Sequence, residues 1–171
     1  MTSKISWWAG LIGVIAVIGL MQQLPSEARA VTSAVDAKAV GSIAQARPPS
    51  PGNYFAAGIQ KYRQGDYQGA LADFDRAIKL DPKYAIAYYG RGFLKADKLQ
   101  DNQSALADFN RAIELDPNNA VAYYARGILK HEYFNEEPGD ISDIQTAAKL
   151  YQAQGRIQDY QDAIDLLKKW E

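Results

Sequence analysis

Two pairs of nearly repeated segments constrain the fold of this chain more than any other feature. AYYGRGFLK stands at residues 87–95 and AYYARGILK at 122–130, 35 residues apart, and a weaker copy, NYFAAGIQK, stands at 53–61. The second pair is ADFDRAIKLDP at 72–82 and ADFNRAIELDP at 107–117. A fixed period of this size is typical of repeat architectures, in which each unit buries its apolar face against its neighbours.

Each unit has the pattern of two helices joined by a turn. Apolar residues at 85, 88, 89, 92 and 93 follow the spacing of one helical face, and the segment around Phe109 repeats that spacing. Asp-Pro at 81–82 and at 116–117 ends each second helix, because the residue before a proline is disfavoured in helical geometry. The sequence therefore predicts helix–turn–helix pairs about 34 residues long.

These motifs resemble those of the tetratricopeptide repeat (TPR) family. The matching positions are the small residues Gly58 and Gly92, the aromatic residues Phe74 and Phe109, and the closing prolines Pro82 and Pro117. The resemblance implies an all-α fold, a right-handed superhelical stack of antiparallel helix pairs (a TPR solenoid). It places a TPR domain at 53–171, with repeats at about 51–84, 85–119 and 120–152 and a capping helix at 156–170. It also implies that Gly58 faces Ala70 and that Gly92 faces Ala105.

The third repeat and the C-terminal helix depart from the pattern or extend it. Asp140 stands where a small alanine is expected, so we expect it to cap a shorter second helix that packs less closely. Residues Ile157, Tyr160, Ile164 and Leu167 fall on one face of the capping helix. The C-terminal sequence also resembles the tails of TPR proteins from photosynthetic bacteria.

The first fifty residues predict a route to a membrane. Lys4 precedes an apolar run at 5–21, and the polar stretch that follows ends in Ala-Arg-Ala at 28–30. This order is typical of a cleaved secretory signal, although the run of about 17 residues also allows a retained membrane anchor. Residues 1–30 are therefore a signal peptide or an anchor, and 31–52 are a flexible linker rich in proline and alanine. Either alternative predicts an exported or membrane-associated protein, in the periplasm, in a lumen or at a membrane surface.

Charge and composition exclude several classes of function. The net charge of the chain is −1, and residues 53–171 carry 15 Lys and Arg against 18 Asp and Glu, so we expect no nucleic-acid partner. The chain contains no cysteine, which excludes disulfides and thiol catalysis.

The family resemblance implies a binding groove on the concave face, which the first helix of each pair lines. The positions that map onto this face are Phe55, Ile59, Tyr62, Tyr89, Phe93, Tyr124, Ile128 and His131. Relatives that bind a terminal carboxylate place Lys and Asn here, whereas this chain places aromatic and aliphatic residues, so we expect a partner peptide or helix with apolar side chains. The alternative is that these side chains only pack between helices.

Catalytic and metal-binding patterns are weak. His131 is the single histidine of the chain, and a metal site needs three or four converging ligands, so we expect a solvated His131 and no metal or cofactor. Arg91 and Arg126 recur with the repeat, which favours a role in packing. The sequence thus predicts a non-catalytic protein-interaction module; the alternatives are an anchored assembly factor or structural subunit of a membrane complex, and an enzyme that uses His131 and Glu132.

Overall fold

Seven α-helices follow one another in the residues that this computed structural model describes, 49–134 and 139–170. The helices are α1 Pro51–Gln64, α2 Tyr67–Leu80, α3 Ala85–Leu94, α4 Asn102–Leu115, α5 Ala120–Leu129, α6 Gly139–Ala153 and α7 Ile157–Trp170. Wider π-helical turns at Lys95–Leu99 and Lys130–Phe134 follow α3 and α5. The predicted all-α fold is confirmed.

Local sequence signals set the helix ends. Ser50 caps α1 through a reciprocal capping box with Asn53, and Pro51 occupies the first turn, where its missing N–H costs nothing. Gly65 ends α1 in the left-handed conformation at φ 82°, and Asp66 then caps α2 by accepting a hydrogen bond from the Gly69 N–H. These caps explain why the chain reverses direction within two residues.

The helices pack as successive pairs. Helix α1 packs on α2, α3 on α4 and α5 on α6, while α2–α3 and α4–α5 contacts join one pair to the next, and α7 packs against α6. The core consists of alanines and large apolar residues between these helices, including the fully buried Phe109, Leu94 and Leu129. Residues Ser50–Glu171 thereby form one compact unit.

Three glycines let the two helices of each pair approach closely. A Cβ atom on Gly58 would lie 2.7 Å from the Phe74 ring, and one on Gly92 would lie 3.0 Å from the Asp108 Cβ. The expected facing partners, Ala70 and Ala105, are buried, but the atoms nearest to the two glycines are not theirs. The ring of the following aromatic residue extends back along its helix and fills that space.

The third pair is as closely packed as the others, so the expectation of a looser pair with a shorter second helix is wrong. Helix α6 has 15 residues, one more than α2 or α4. A Cβ atom on Gly127 would lie 2.7 Å from Ile144 Cδ1 and 3.0 Å from the Asp140 carbonyl oxygen. Asp140 is itself a helical residue of α6 and is completely buried.

Two residue assignments made from the sequence need adjustment. The sequence places residues 51 and 52 both at the end of the linker and at the start of the first repeat; in the structure Pro51 and Gly52 belong to the repeat, since they form the first turn of α1. Ile157, which was assigned to the packing face of the capping helix, is 66% exposed, because α7 begins there at the edge of the stack. The apolar run at 5–21 lies outside the described residues, and within 49–134 and 139–170 no helix has the length and hydropathy to cross a bilayer.

Candidate functional site

The eight side chains that the sequence assigns to the concave face divide into a buried set and a partly exposed set. All come from the first helix of a pair or from the π-helical turn that follows α5. The buried set is Phe55, Tyr89, Phe93 and Ile128. The partly exposed set is Ile59, Tyr62, Tyr124 and His131.

Ring packing explains the burial of the first set. The Phe55 ring centroid lies 5.6 Å from that of Phe74, and the Tyr89 centroid lies 6.3 Å from Phe93 and 6.0 Å from Phe109. Aromatic rings at these separations stabilise one another in a core. These four side chains are buried, as in the second alternative that the sequence allows, in which they pack between helices. A role for them beneath a bound partner stays a prediction.

Tyr62 is held in place by a polar contact at the end of its ring. Its hydroxyl donates a short hydrogen bond to the Asp97 carboxylate, and its ring centroid lies 5.7 Å from that of Phe93. Burial and the bond to Asp97 raise the pKa of Tyr62. The Lys98 Nζ atom lies 6.0 Å from the same ring. The Tyr62 ring is therefore held in one orientation, beside the opposite charges of Asp97 and Lys98.

Tyr124 packs against the second helix of its own pair. Its ring lies edge-on to that of Tyr151, with centroids 6.2 Å apart. Burial, with smaller contributions from Asp162 and Asp159, raises the pKa of Tyr124 to about 12. Tyr124, which the sequence assigns to the concave groove, is thus partly covered by its own helix pair.

His131 is not a solvated surface residue, which corrects the sequence-based expectation. Its Nδ1 atom lies 2.8 Å from Oδ2 of the completely buried Asp140. Its ring stacks on Trp170, with centroids 3.9 Å apart and an interplanar angle of 12°. Two elements far apart in the sequence, the start of α6 and the end of α7, therefore meet at this imidazole.

Two buried donors lie near the junction of α3, α6 and α7. Within the described residues, neither Tyr89 Oη nor Arg156 Nη2 has a hydrogen-bond partner. Burial raises the pKa of Tyr89 to about 12, and the Arg156 charge opposes this shift. The Arg156 guanidinium carbon lies 4.6 Å from the centroid of the Tyr151 ring.

Repeated buried carboxylates join the first and second helices of a pair. Arg91 donates to Asp108 through Nε at 2.9 Å and Nη2 at 2.6 Å, and Lys95 Nζ lies 2.8 Å from the same carboxylate. Arg126 and Asp143 repeat this arrangement one period later, at 2.8 and 2.6 Å. The expected packing role of Arg91 and Arg126 is confirmed.

The acidic partners of these arginines are what the sequence reasoning missed. Asp143 is 5% exposed and is ion-paired with Arg126. The signal was present, because Asp108 and Asp143 are also separated by 35 residues, the same interval as their partners. A charge that recurs with the repeat is as informative as an apolar residue that does.

Apolar rings dominate the chemistry of this face. Within residues 49–134 and 139–170, no three His, Cys, Asp or Glu side chains converge as a metal site would require. The side chains present are apolar rings, with a few polar groups that are mostly committed to one another.

Comparisons with known proteins agree with this architecture. The family model described as TPR repeat matches residues 58–98 and 98–132. A comparison with curated protein sequences finds no match. The Arabidopsis OM64 TPR domain is 22% identical with a TM-score of 0.61, and the match covers 71% of this chain and 97% of that one.

Two further solved structures contain protein partners. The complex of the TPR2B domain of yeast Sti1 with pHsp70 is 24% identical with a TM-score of 0.55, and the match covers 68% of this chain and 97% of that one. PcrH in complex with the chaperone binding region of PopD is 20% identical with a TM-score of 0.63, over 68% and 86% of the two chains. These likenesses show a shared solenoid fold, which is generally that of a non-catalytic protein–protein interaction module.

Proposed function

Since the chain is a tetratricopeptide repeat protein, we propose that it is a non-catalytic interaction module that binds an apolar peptide or helix of a partner protein on its concave face. The observation that carries this proposal is the set of apolar side chains that the first helices bring to that face. The first and third pairs contribute partly exposed side chains, and the first and second pairs contribute buried rings: Ile59, Tyr62, Tyr124 and His131 are partly exposed, and Phe55, Tyr89 and Phe93 are buried.

Two of the partly exposed side chains are held in place before a partner arrives, which favours binding. Tyr62 is fixed by Asp97 and Phe93, and His131 by Asp140 and Trp170. Side chains that are already ordered lose little conformational entropy on association, which favours affinity. Tyrosine and histidine also combine an apolar ring with one polar tip, which suits a partly wet interface.

The N-terminal segment supports delivery of this module to a membrane or across it. The apolar run at 5–21, followed by Ala-Arg-Ala at 28–30, fits a cleaved signal peptide or a retained anchor. In the first case the module is a soluble exported protein. In the second it is an assembly factor or structural subunit held beside a membrane complex, which is the second candidate function.

A capture experiment with matched variants tests the binding face. The test variant is Ile59→Gln with Tyr124→Gln. The control is Ile78→Gln with Tyr123→Gln, which changes one partly exposed isoleucine and one partly exposed tyrosine on other surfaces. Interface anchors are often worth about 2 kcal/mol, roughly thirty-fold in affinity. We expect the test variant to lose partners from detergent-solubilised membranes that the control and the natural sequence retain.

Two results would contradict the proposal. A test variant with an unchanged helical circular dichroism spectrum that captures the same proteins at the same level would exclude the concave face. A reaction of the purified protein that is lost in a folded His131→Ala variant would favour an enzyme instead.

A further inference from the structure

The ring of His131 is covered by the end of the capping helix. Trp170, the last residue of α7, stacks on this imidazole with ring centroids 3.9 Å apart and an interplanar angle of 12°. His131 is one of the positions assigned to the concave face, and 32% of its side chain stays accessible with Trp170 in place. One face of a ring in the proposed binding surface is therefore occupied by a side chain of the same molecule.

Asp140 holds the imidazole independently of Trp170. The Nδ1 atom of His131 lies 2.8 Å from Oδ2 of the completely buried Asp140, whose Oδ1 atom accepts a hydrogen bond from the Ile141 N–H at 2.7 Å. The carboxylate is thus fixed within α6 and contacts the edge of the imidazole, whereas Trp170 contacts its face. Departure of Trp170 therefore leaves a flat ring in a defined orientation with one face open.

The last turn of α7 is the part of this helix that separates most easily. The final carbonyls of a helix have no partner within it, and helix ends fray. Lys168 and Lys169 are exposed, and the ion pair of Lys168 with Asp165 leaves 64% and 60% of the two side chains accessible. Such an exposed pair adds little to stability. The turn can therefore open while the buried part of α7, at Ala163, stays in place.

The stack indicates which kind of side chain the open face accepts. Two nearly parallel rings at this separation attract one another and exclude water between them. An aromatic side chain of a partner, placed as Trp170 is, replaces the contact that is lost. An aliphatic side chain covers the ring but does not reproduce the stacking.

We propose that the face of His131 covered by Trp170 is a subsite for an aromatic side chain of the partner, which Trp170 fills in the free protein and vacates when the partner binds. This proposal rests on the proposed function and adds to it the chemistry of one partner residue. A protein that must open before it binds has an affinity reduced by the fraction that is open. By linkage, binding of the partner releases Trp170 to the same extent.

Peptide selection on an opened protein provides the probe for this subsite. Phage-displayed random peptides are selected on full-length Trp170→Leu protein, which keeps apolar bulk at the end of α7 but has no ring to stack. Peptides that still bind after Ile59→Gln and Tyr124→Gln are added to that protein are removed. The Kd of the remaining peptides is measured for Trp170→Leu, for the natural sequence and for Tyr160→Leu. Tyr160→Leu is the matched control, because it changes another partly exposed aromatic residue of the same helix.

We expect the peptides to share an aromatic residue and to bind Trp170→Leu about two- to ten-fold more tightly than the natural sequence, the range that one aromatic stack is worth. Tyr160→Leu should bind as the natural sequence does. The advantage of Trp170→Leu should disappear when the shared aromatic residue of the peptide is replaced by leucine. It should also disappear in a His131→Asn background, which keeps a donor for Asp140 but has no ring.

Fluorine NMR of the full-length protein labelled with fluorotryptophan observes the displacement directly. The Trp170 signal is the one that is absent from the Trp170→Leu protein. We expect it to move when the selected peptide is added to the natural sequence, and to move much less at equal occupancy by the peptide that carries leucine instead of the aromatic residue.

The remaining outcomes separate this proposal from the proposed function. Peptides that bind the natural sequence as tightly as Trp170→Leu, or that leave the Trp170 signal in place, overturn the subsite and leave the function intact. An equal gain in Tyr160→Leu also overturns it, since a general loosening of α7 then explains the tighter binding. If no selected peptide depends on Ile59 and Tyr124, the proposed function fails and the subsite fails with it.

Discussion

Removal of the Asp108 carboxylate tests how the helix pairs are held together. The side chain of Asp108 is 6% exposed and accepts hydrogen bonds from Arg91 at 2.9 and 2.6 Å and from Lys95 at 2.8 Å. Asp108→Ala leaves both cations beside an apolar helix contact. Asp75 is the matched control, because it pairs with the same arginine at 2.7 Å but is 52% exposed.

The difference in exposure between Asp108 and Asp75 determines how much unfolding free energy each substitution should remove. Removing one partner of a buried ion pair typically costs about 3–5 kcal/mol, because the other charge is left buried. Arg91 and Lys95 keep 21% and 17% of their side-chain exposure and can partly rehydrate, so we expect about 3 kcal/mol for Asp108→Ala, the lower end of that range. An exposed pair is worth about 0–1 kcal/mol, which is the expectation for Asp75→Ala.

Urea unfolding of the full-length protein, followed by circular dichroism at 222 nm, measures both losses. A loss of about 3 kcal/mol is a large part of a typical total stability of about 5–15 kcal/mol, so the midpoints should be clearly separated. If Asp108→Ala and Asp75→Ala lower the free energy of unfolding equally, burial does not control the strength of these pairs. An Arg91→Met, Lys95→Met, Asp108→Leu variant should recover much of the loss, since it leaves no unpaired cation and an apolar cluster carries no desolvation penalty.

The helices and their pairing could be predicted from the sequence because both depend on local signals that recur. Asp-Pro ends α2 and α4 at residues 81 and 116, and glycine stands at each close approach, at positions 58, 92 and 127. Each signal acts within one repeat and recurs in two or three of the repeats. Repetition makes such a pattern far more specific than any single copy.

The exposure of the concave aromatics could not be predicted, because it depends on which side chains surround each ring in the folded protein. Tyr89 and Tyr124 are equivalent by sequence, yet Tyr89 is buried between Phe93 and Phe109 while Tyr124 remains partly exposed beside Tyr151. The difference arises from their neighbours in the stack, not from the residues themselves.

The contacts of His131 had no periodic signal at all. Its ring partner, Trp170, lies 39 residues further along the chain, and its carboxylate partner, Asp140, replaces the alanine that the pattern expects. The departure from the repeat pattern at Asp140 predicts weaker packing of the third pair. In the structure, the buried Asp140 carboxylate is instead compensated by its hydrogen bond with His131, which the repeat pattern does not predict.

Three further predictions address processing, capping and the buried tyrosines. If Ala-Arg-Ala at 28–30 is a cleavage site, the intact mass of the native protein should correspond to a chain that begins at Val31, whereas a full-length chain found only in membranes would support the anchor. Removal of residues 156–171 should lower the melting temperature and cause aggregation, because each large apolar side chain that loses its cover forfeits about 1.5–3 kcal/mol; a monomer with an unchanged melting temperature would show that α7 does not cap the array. Tyr89 and Tyr124 should make the protein sensitive to alkali. Their pKa values are raised from 10.0 to about 12 in the folded chain, so the unfolded chain releases these protons first. Their contribution to stability is therefore complete below pH 10 and is lost as the pH rises from 10 through about 12. The urea midpoint should fall steeply over this interval, and it should fall less steeply in a Tyr89→Phe, Tyr124→Phe variant, which keeps the rings but cannot ionise. An equally steep fall in that variant would assign the alkaline transition to other groups.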